Sequence, residues 1–583
     1  MTDGAFGASR VGSSGRSPPT LERTLRRGDA RGSGTERFYR SLVWGPGEPR
    51  IVRRELIEET AGGLVSGDTA AGGLGVGAAG ASAGLTSLLF FAHLCDPQIG
   101  DVQSPGRFEF FESFTGRPEA RLFYPAARAQ ETLELRAVEA LVRTLNRVRE
   151  SPDTGAPLAL TVSAGDNLDN AQQNELDWFL TLMRGGEIDQ RSGGPAYEGV
   201  QDAAWRDPHY WHPDPTPDHY RERWGFPDHP GLLAEAMEPF RAEGLAAPWL
   251  TCFGNHDGLV LGNSLPTPGY REIVVADRKA VALPQGFDAV ARADEFHHAP
   301  ELFLAGPARR VTPAAARRIV GRPEVVAAVR GAPGLPVGHG FSTGDGASPA
   351  AAWGAHDLDH GPVPIRLVVL DTTNMDGFFE GSVGRRQLRW LEERLVEVSS
   401  RYRDRSGAWV RSGGARDHLV VVLTHHCLGD LVNERRHPQG NEDDQPRALS
   451  AEVEALVHRF PNVVLWANGH RHVNTVWARP DPVGRTAGFW EVSTSSVSDW
   501  PCQVRLFELT VSPWGKLAIL TTMLDADAPA DSAEADGLPR LAALHRELAA
   551  NSPAPGFGFG PQREGLAEDR NAVLLLPAPF AMG

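Results

Sequence analysis

From residue 86 onward, short apolar runs alternate with longer segments whose apolar residues recur at helical spacing, and this alternation restricts the fold more than any other feature of the chain. "TSLLFFAHLC" (86–95), "PLALTVSA" (157–164), "APWLTCF" (247–253), "PIRLVVLD" (364–371), "HLVVVLTH" (418–425) and "NVVLWAN" (462–468) read as buried strands. Helical patterns fall at 127–150, 171–184, 385–400 and 449–459. "CQVRLFELTVSPWGKLAILTTML" (502–524) reads as a hairpin turning at Pro513-Trp514-Gly515. Strand–helix–strand alternation followed by antiparallel strands predicts an α/β protein built on a mixed sheet or a pair of sheets.

At 583 residues the chain exceeds what one compact core usually holds. Two stretches interrupt the rhythm: 185–246, rich in Trp, Tyr, His, Pro and Asp, and 258–363, with an Ala/Arg/Pro-rich segment. Loops this long are usually lids, caps or added subdomains. Residues 1–35, rich in Gly, Ser and Arg, are expected to be disordered. Two short strands are expected around Gly45-Pro46-Gly47-Glu48-Pro49, followed by a flexible linker over 61–84. The expected organisation is thus an N-terminal extension (1–85), a domain over 86–525 with insertions near 190–246 and 258–363, and a C-terminal extension (526–583) carrying one amphipathic helix at 538–552.

Hydrophobic residues make up 41% and charged residues 23%, an ordinary globular composition. The formal net charge of −16 argues against a nucleic-acid partner, whose electrostatic footprint is basic. Positive charge is nearly all arginine, with lysine only at 279 and 516, a bias we ascribe to coding composition rather than function. The cysteines at 95, 252, 427 and 502 form no C-x-x-C pair and read as small buried residues. No apolar stretch approaches 18 residues, and no apolar segment follows Arg26-Arg27, so neither a membrane span nor a secretory leader is expected and the default location is cytoplasmic.

Five of the strands end in polar residues: Asp96-Pro97-Gln98, Gly165-Asp166-Asn167-Leu168-Asp169, Gly254-Asn255-His256-Asp257, His425-His426 and Gly469-His470-Arg471-His472. Each alone admits a bland reading, since Asp and Asn after a strand are common caps and turns. Together they are harder to dismiss, because ligands of α/β folds gather at the carboxyl ends of strands. Residues two apart on an extended chain project to the same side, so His470 and His472 point together. A set of Asp, Asn and His suits divalent Mn, Fe or Zn better than Ca.

These motifs, in this order, resemble those of the calcineurin-like metallophosphoesterase superfamily, in particular a bacterial subgroup with long inserts between motifs. The resemblance covers about 86–525, apart from 190–246 and 258–363. It implies a four-layer α/β/β/α sandwich of two mixed sheets and two divalent transition-metal ions about 3.5–4 Å apart. By the same resemblance Asp166 bridges the metals; Asp96 and His472 complete one, and Asn255, His425 and His470 the other. His256 is then the proton donor to the leaving oxygen, oriented by Asp257 or Asp169; of His425 and His426, we take His425 as the ligand because it directly ends its strand. The family usually carries Asp-x-His in the first motif. Gln98 stands here instead, a neutral oxygen ligand weaker than imidazole, which bears on the occupancy and identity of the first metal. His93 differs in strand parity from Asp96 and reads as a core or supporting histidine.

The reaction this implies is hydrolysis of a mono- or diester of phosphate, with a small-molecule or lipid-derived substrate. The alternative is a non-catalytic metal- or phosphate-binding protein of the same fold. A metal amidohydrolase also uses His-x-His, but on an early strand and with a lysine ligand that is not evident here. Among smaller signals, "HYWHPDPTPDHY" (209–220) reads as a surface loop, and "DTTN" (371–374) and "STSSVSDWP" (493–501) as structural turns near the cleft.

Overall fold

The structure, a computed structural model, describes residues 19–58 and 84–582 apart from 116, 124–125, 345–346, 360, 437–445 and 514. Two mixed sheets carry the fold. The first has seven strands in the order Ile51–Arg53, Ala572–Leu576, Leu517–Asp525, Gln503–Val511, Thr86–Leu94, Leu160–Ser163, Trp249–Thr251. The last three run parallel, joined through the helices Glu134–Arg147 and Gln173–Arg184. The second has six strands in the order Gly354–Leu358, Ile365–Val369, Leu419–Leu423, Val463–Asn468, Phe489–Ser493, Thr475–Arg479. Its four central strands are parallel, with the helices Arg385–Glu397 and Ser450–Val457 between successive members.

Strands covered on both faces need apolar residues at every position, and Leu419–Leu423 is buried throughout. Side chains then sort by parity. Val368, Leu370, Val420 and Val422 pack on Leu391, Leu395, Val453 and Val457 of the two helices. Leu367, Val369, Val421 and Leu423 share a core with Leu89, Phe91, Val162 and Leu250 of the other sheet. That core continues to Val138, Leu141, Phe179 and Leu182 on the helices beside the first sheet. One face of each sheet therefore meets the other sheet, while the carboxyl ends of the parallel strands come to the same end of the molecule. The helix Gln173–Arg184 ends at Gly185, whose φ of +84° suits glycine alone.

Several expectations need correction. Phe38–Pro46 does not fold back on the residues after Gly47; it pairs with Arg23–Ser33, inside the segment expected to be disordered. Ile51–Arg53 instead joins the seven-stranded sheet beside Ala572–Leu576. Residues 1–18 and 59–83, the latter including all of the expected linker but Gly84, lie outside the described residues. The segment 209–220 is not a surface loop: Tyr210, Trp211, His212 and Tyr220 are buried. Trp211, Tyr220 and Phe226 build a satellite core with Tyr39 and with Leu541, Leu544 and Leu548 of the helix Gly537–Ala550, which is why so many aromatics sit there. His212 spends both ring nitrogens on the carbonyls of Gln201 and Asp207. All four cysteines are buried free thiols. Among the described residues no helix is long and apolar enough to cross a membrane.

Candidate metal centre

The five polar motifs leave the carboxyl ends of Thr86–Leu94, Leu160–Ser163, Trp249–Thr251, Leu419–Leu423 and Val463–Asn468 and turn toward one point. Crowding there dictates glycine. A Cβ on Gly254 would lie 2.2 Å from Asp166 Oδ1, and one on Gly469 would lie 2.4 Å from Asp96 Oδ2. The backbone is also held in an uncommon conformation: Asp96, Gln98, Asp166, His470 and His472 all have positive φ, between 39° and 68°.

His425 is central. Its Nε2 is 2.9 Å from Asn255 Oδ1, 3.3 Å from Asp166 Oδ1 and 3.3 Å from His470 Nδ1. Its Nδ1 lies 2.9 Å from the carbonyl of Ala164, an arrangement that fixes the ring and turns Nε2 into the cluster. Asn255 donates its amide N–H to the carbonyl of Gly262 and so presents its oxygen to the same point. Asp96 Oδ1 is 3.5 Å from His472 Nε2, and Asp96 also accepts the backbone N–H of His470. His472 Nδ1 is 2.6 Å from Asp499 Oδ2. Ligand atoms of Asp96, Asp166 and His425 lie within 4.8 Å of one another, as do those of His425, His426 and His470. The two rings differ in their partners, however: His425 turns Nε2 to other candidate ligands, whereas His426 turns Nδ1 to Thr372 Oγ1 and Nε2 to the carbonyl of Phe379.

His256 sits at the cavity side of this cluster. Its backbone N–H donates to Asp166 Oδ1 at 2.8 Å, and its ring Nδ1 lies 2.8 Å from the carbonyl and 3.4 Å from the carboxylate of Asp169. Asp257 faces the other way, accepting the backbone N–H groups of Gly254, Asn167 and Leu168. Of the two carboxylates expected to orient His256, it is Asp169 that meets the ring. Burial opposes the charge on both Asp166 and Asp169. The imidazoles of His425 and His256 nevertheless hold Asp166 well below the usual carboxylate range, and Arg107 with His256 holds Asp169 down to about 2. Burial likewise opposes charge on His256, and Asp166 and Asp169 outweigh it, raising the imidazole to about 9. Burial, together with His426 and His425, pushes the His470 imidazole well below its ordinary value.

Gln98 Oε1 accepts a hydrogen bond from Arg128 Nη2 at 3.0 Å, and Arg128 also grips Asp499. Arg107 Nη1 donates to Asp169 Oδ2 at 2.6 Å. Arg107, Arg128 and Asp499 were not singled out by sequence; none sits in a spacing pattern, although Asp499 lies in the "STSSVSDWP" segment. His93 is a core histidine, fully buried, with Nδ1 3.0 Å from Thr494 Oγ1. Over the cluster opens a cavity of about 570 Å³, lined by Asp166, Asp169, Asn255, His256, His470 and His472 with Arg107, Arg128, Arg471, Arg563, Phe379 and Phe557.

No protein-family model and no curated protein matches the sequence. Among solved structures the chain is similar to a dimetal phosphatase from Danio rerio at 10% identity, covering 76% of this chain and 100% of that one, with a TM-score of 0.32.

Proposed function

We propose that this chain is a dinuclear metal-dependent phosphoester hydrolase. The observation that carries the reading is the convergence of Asp96, Asp166, Asn255, His425, His470 and His472, from five separate strand ends, around one point with His256 beside them. The donor set fits the ions. Anionic carboxylates, an amide oxygen and neutral imidazole suit Mn, Fe or Zn, and supporting hydrogen bonds already direct His425 Nε2 and Asn255 Oδ1 inward. Asp166 would serve both ions, Asp96, His472 and Gln98 one of them, and Asn255, His425 and His470 the other. His426, whose nitrogens meet Thr372 and the carbonyl of Phe379 rather than another candidate ligand, is left out. A carbonyl oxygen has two lone pairs, so Gln98 can hold Arg128 and still face a metal.

Bound divalent ions supply charge that activates water and neutralises phosphoryl oxygens. His256 carries the proton for the leaving oxygen on Nε2, while Asp169 fixes Nδ1 and so aims the ring. Asp257 keeps the turn around Gly254 in shape. Substrate enters the cavity as a small-molecule or lipid-derived phosphoester. The packing by parity supports a four-layer α/β/β/α sandwich over 86–525, completed by strands from the 1–85 and 526–583 extensions. The insertions near 190–246 and 258–363 contribute to satellite cores that they share with neighbouring segments.

Metal analysis of the purified protein, with turnover of p-nitrophenyl phosphate and bis-p-nitrophenyl phosphate in Mn²⁺, tests this. We expect two ions per chain, lost on Asp166→Asn. For an alkyl phosphate, whose leaving group needs a proton, His256→Ala should lower the rate about 10²- to 10⁴-fold with metals retained. A second reading, a non-catalytic metal or phosphate binder, draws on Gln98 turning its oxygen to Arg128; metal bound without turnover of any ester would favour it.

A further inference from the structure

Arg128 occupies a particular place in the cavity. Its guanidinium is held at two corners: Nε donates to Asp499 Oδ1 at 2.8 Å, and Nη2 donates to Gln98 Oε1 at 3.0 Å and to Asp499 Oδ2 at 3.3 Å. For Nη1 the described residues supply no acceptor, and the side chain, 15% exposed, lines the cavity with Asp166, His256 and His472. The nearby arginines are differently committed. Arg107 meets three carboxylates, those of Asp169, Glu131 and Glu109. Arg471 forks onto Asp430. Arg128 is thus a planar cation in the cavity lining, clamped by its neighbours through Nε and Nη2, with Nη1 left uncommitted among the described residues, and a fixed guanidinium N–H suits an oxyanion.

The clamp also gives Gln98 a purpose. Imidazole at that position offers one nitrogen to a metal and a proton on the other, whereas an amide carbonyl can accept from a guanidinium. Asp499 in turn links Arg128 to His472. A phosphomonoester carries up to two negative charges, its second pKa lying near about 6, and presents three unesterified oxygens. A diester carries one charge and two such oxygens. An arginine corner beyond the metal-binding side chains has an oxygen to meet in the first case and a carbon-bearing ester group in the second.

Resting on the function proposed above, we infer that Arg128 binds an unesterified phosphoryl oxygen of the substrate and makes the chain a phosphomonoesterase rather than a diesterase. The test compares p-nitrophenyl phosphate with bis-p-nitrophenyl phosphate at saturating Mn²⁺, and measures binding of inorganic phosphate to the metal-loaded protein by calorimetry. The wild type should favour the monoester. Arg128→Ala should lower kcat/KM for the monoester roughly 10- to 100-fold, change the diester by less than about threefold, and weaken phosphate binding by about tenfold or more. Arg128→Lys, a cation without the fork, should recover little of this, and added guanidinium should restore part of the monoester activity of Arg128→Ala. A wild type that prefers the diester overturns the inference whatever the variants do. So does an equal loss on both substrates in Arg128→Ala and Arg128→Lys, which would make Arg128 a structural prop, and so does unchanged phosphate affinity. If the wild type hydrolyses neither ester with any metal, it is the hydrolase reading that fails.

Discussion

At the scale of single residues, the candidate ligands are held in backbone conformations that cost free energy. A non-glycine residue at positive φ costs on the order of 1–3 kcal/mol, and Asp96, Gln98, Asp166, His470 and His472 all pay it. Such residues persist only where their surroundings fix them, and here the surroundings are one another and a ring of supporting groups. Asp499 is the clearest of these. It meets His472 from 27 positions away and Arg128 from 371 positions away. That distance explains why the ligands were legible in the sequence and their supports were not: a ligand announces itself by the strand it ends, whereas a support is defined only by a contact the folded chain creates. We expect Asp499→Asn to weaken binding of the metal at His472 by roughly 10- to 100-fold, read by Mn²⁺ titration. A second prediction concerns Glu547, far from the centre. Burial pushes its carboxyl up to about 7, with Tyr39, Arg31 and Arg546 pulling down and Asp531 up by smaller amounts. Its Oε1 accepts from Tyr39, and its Oε2 has no hydrogen-bond partner among the described residues. The folded chain therefore binds this proton more tightly than the unfolded one, whose carboxyl titrates near 4.5. The stabilisation is complete below that value and disappears as pH rises through about 7. Glu547→Gln should remove this dependence, making the variant gain on the order of 3 kcal/mol relative to wild type between pH 4 and 8 in urea unfolding.

Among the elements, the six apolar runs and four helical patterns between 86 and 468 correspond to strands and helices of the structure, with ends moved by three residues or fewer except at 127–150, where the helix begins only at Glu134. The hairpin Gln503–Val511 with Leu517–Asp525 does so too. Elements without a period of their own escaped. Thr475–Arg479 and Phe489–Ser493 are five residues each, and the first mixes charge and aromatic residues because it is an outer strand. Ala572–Leu576 is a short apolar run whose role is visible only through its partners. Arg23–Ser33 was hidden by composition: its glycines and arginines suggest disorder, yet pairing with Phe38–Pro46 supplies the hydrogen bonds its side chains do not advertise. The strand Ala572–Leu576 is buried along its whole length, and Leu574 belongs to the core shared by the two sheets. Leu574→Ala should cost about 2–5 kcal/mol, measured as a lower urea midpoint without a change in slope.

On the scale of the whole molecule, the insertions are folded parts that share buried cores with neighbouring segments rather than slack loops. Phe108, Phe111 and Phe123, from the segment before the helix Glu134–Arg147, pack with Tyr270, Phe296 and Phe303 of the second insertion into an aromatic cluster, mostly edge to face. Phe123 of that cluster also lines the cavity. Lys279, one of only two lysines in the chain, is buried there against Glu109, and Glu109 in turn meets the Arg107 that grips Asp169. The sequence marked these stretches as foreign to the strand–helix rhythm but could not tell a folded cap from an open loop, because irregular aromatic spacing has no period to read. The seven-stranded sheet has a further property. Its edge is closed by Ile51–Arg53 lying beside Ala572–Leu576, so the earlier strand must wait for a partner synthesised long after it. A ribosome will have delivered some 500 intervening residues before that margin can zip shut, and until then the early strand is an unclaimed ribbon.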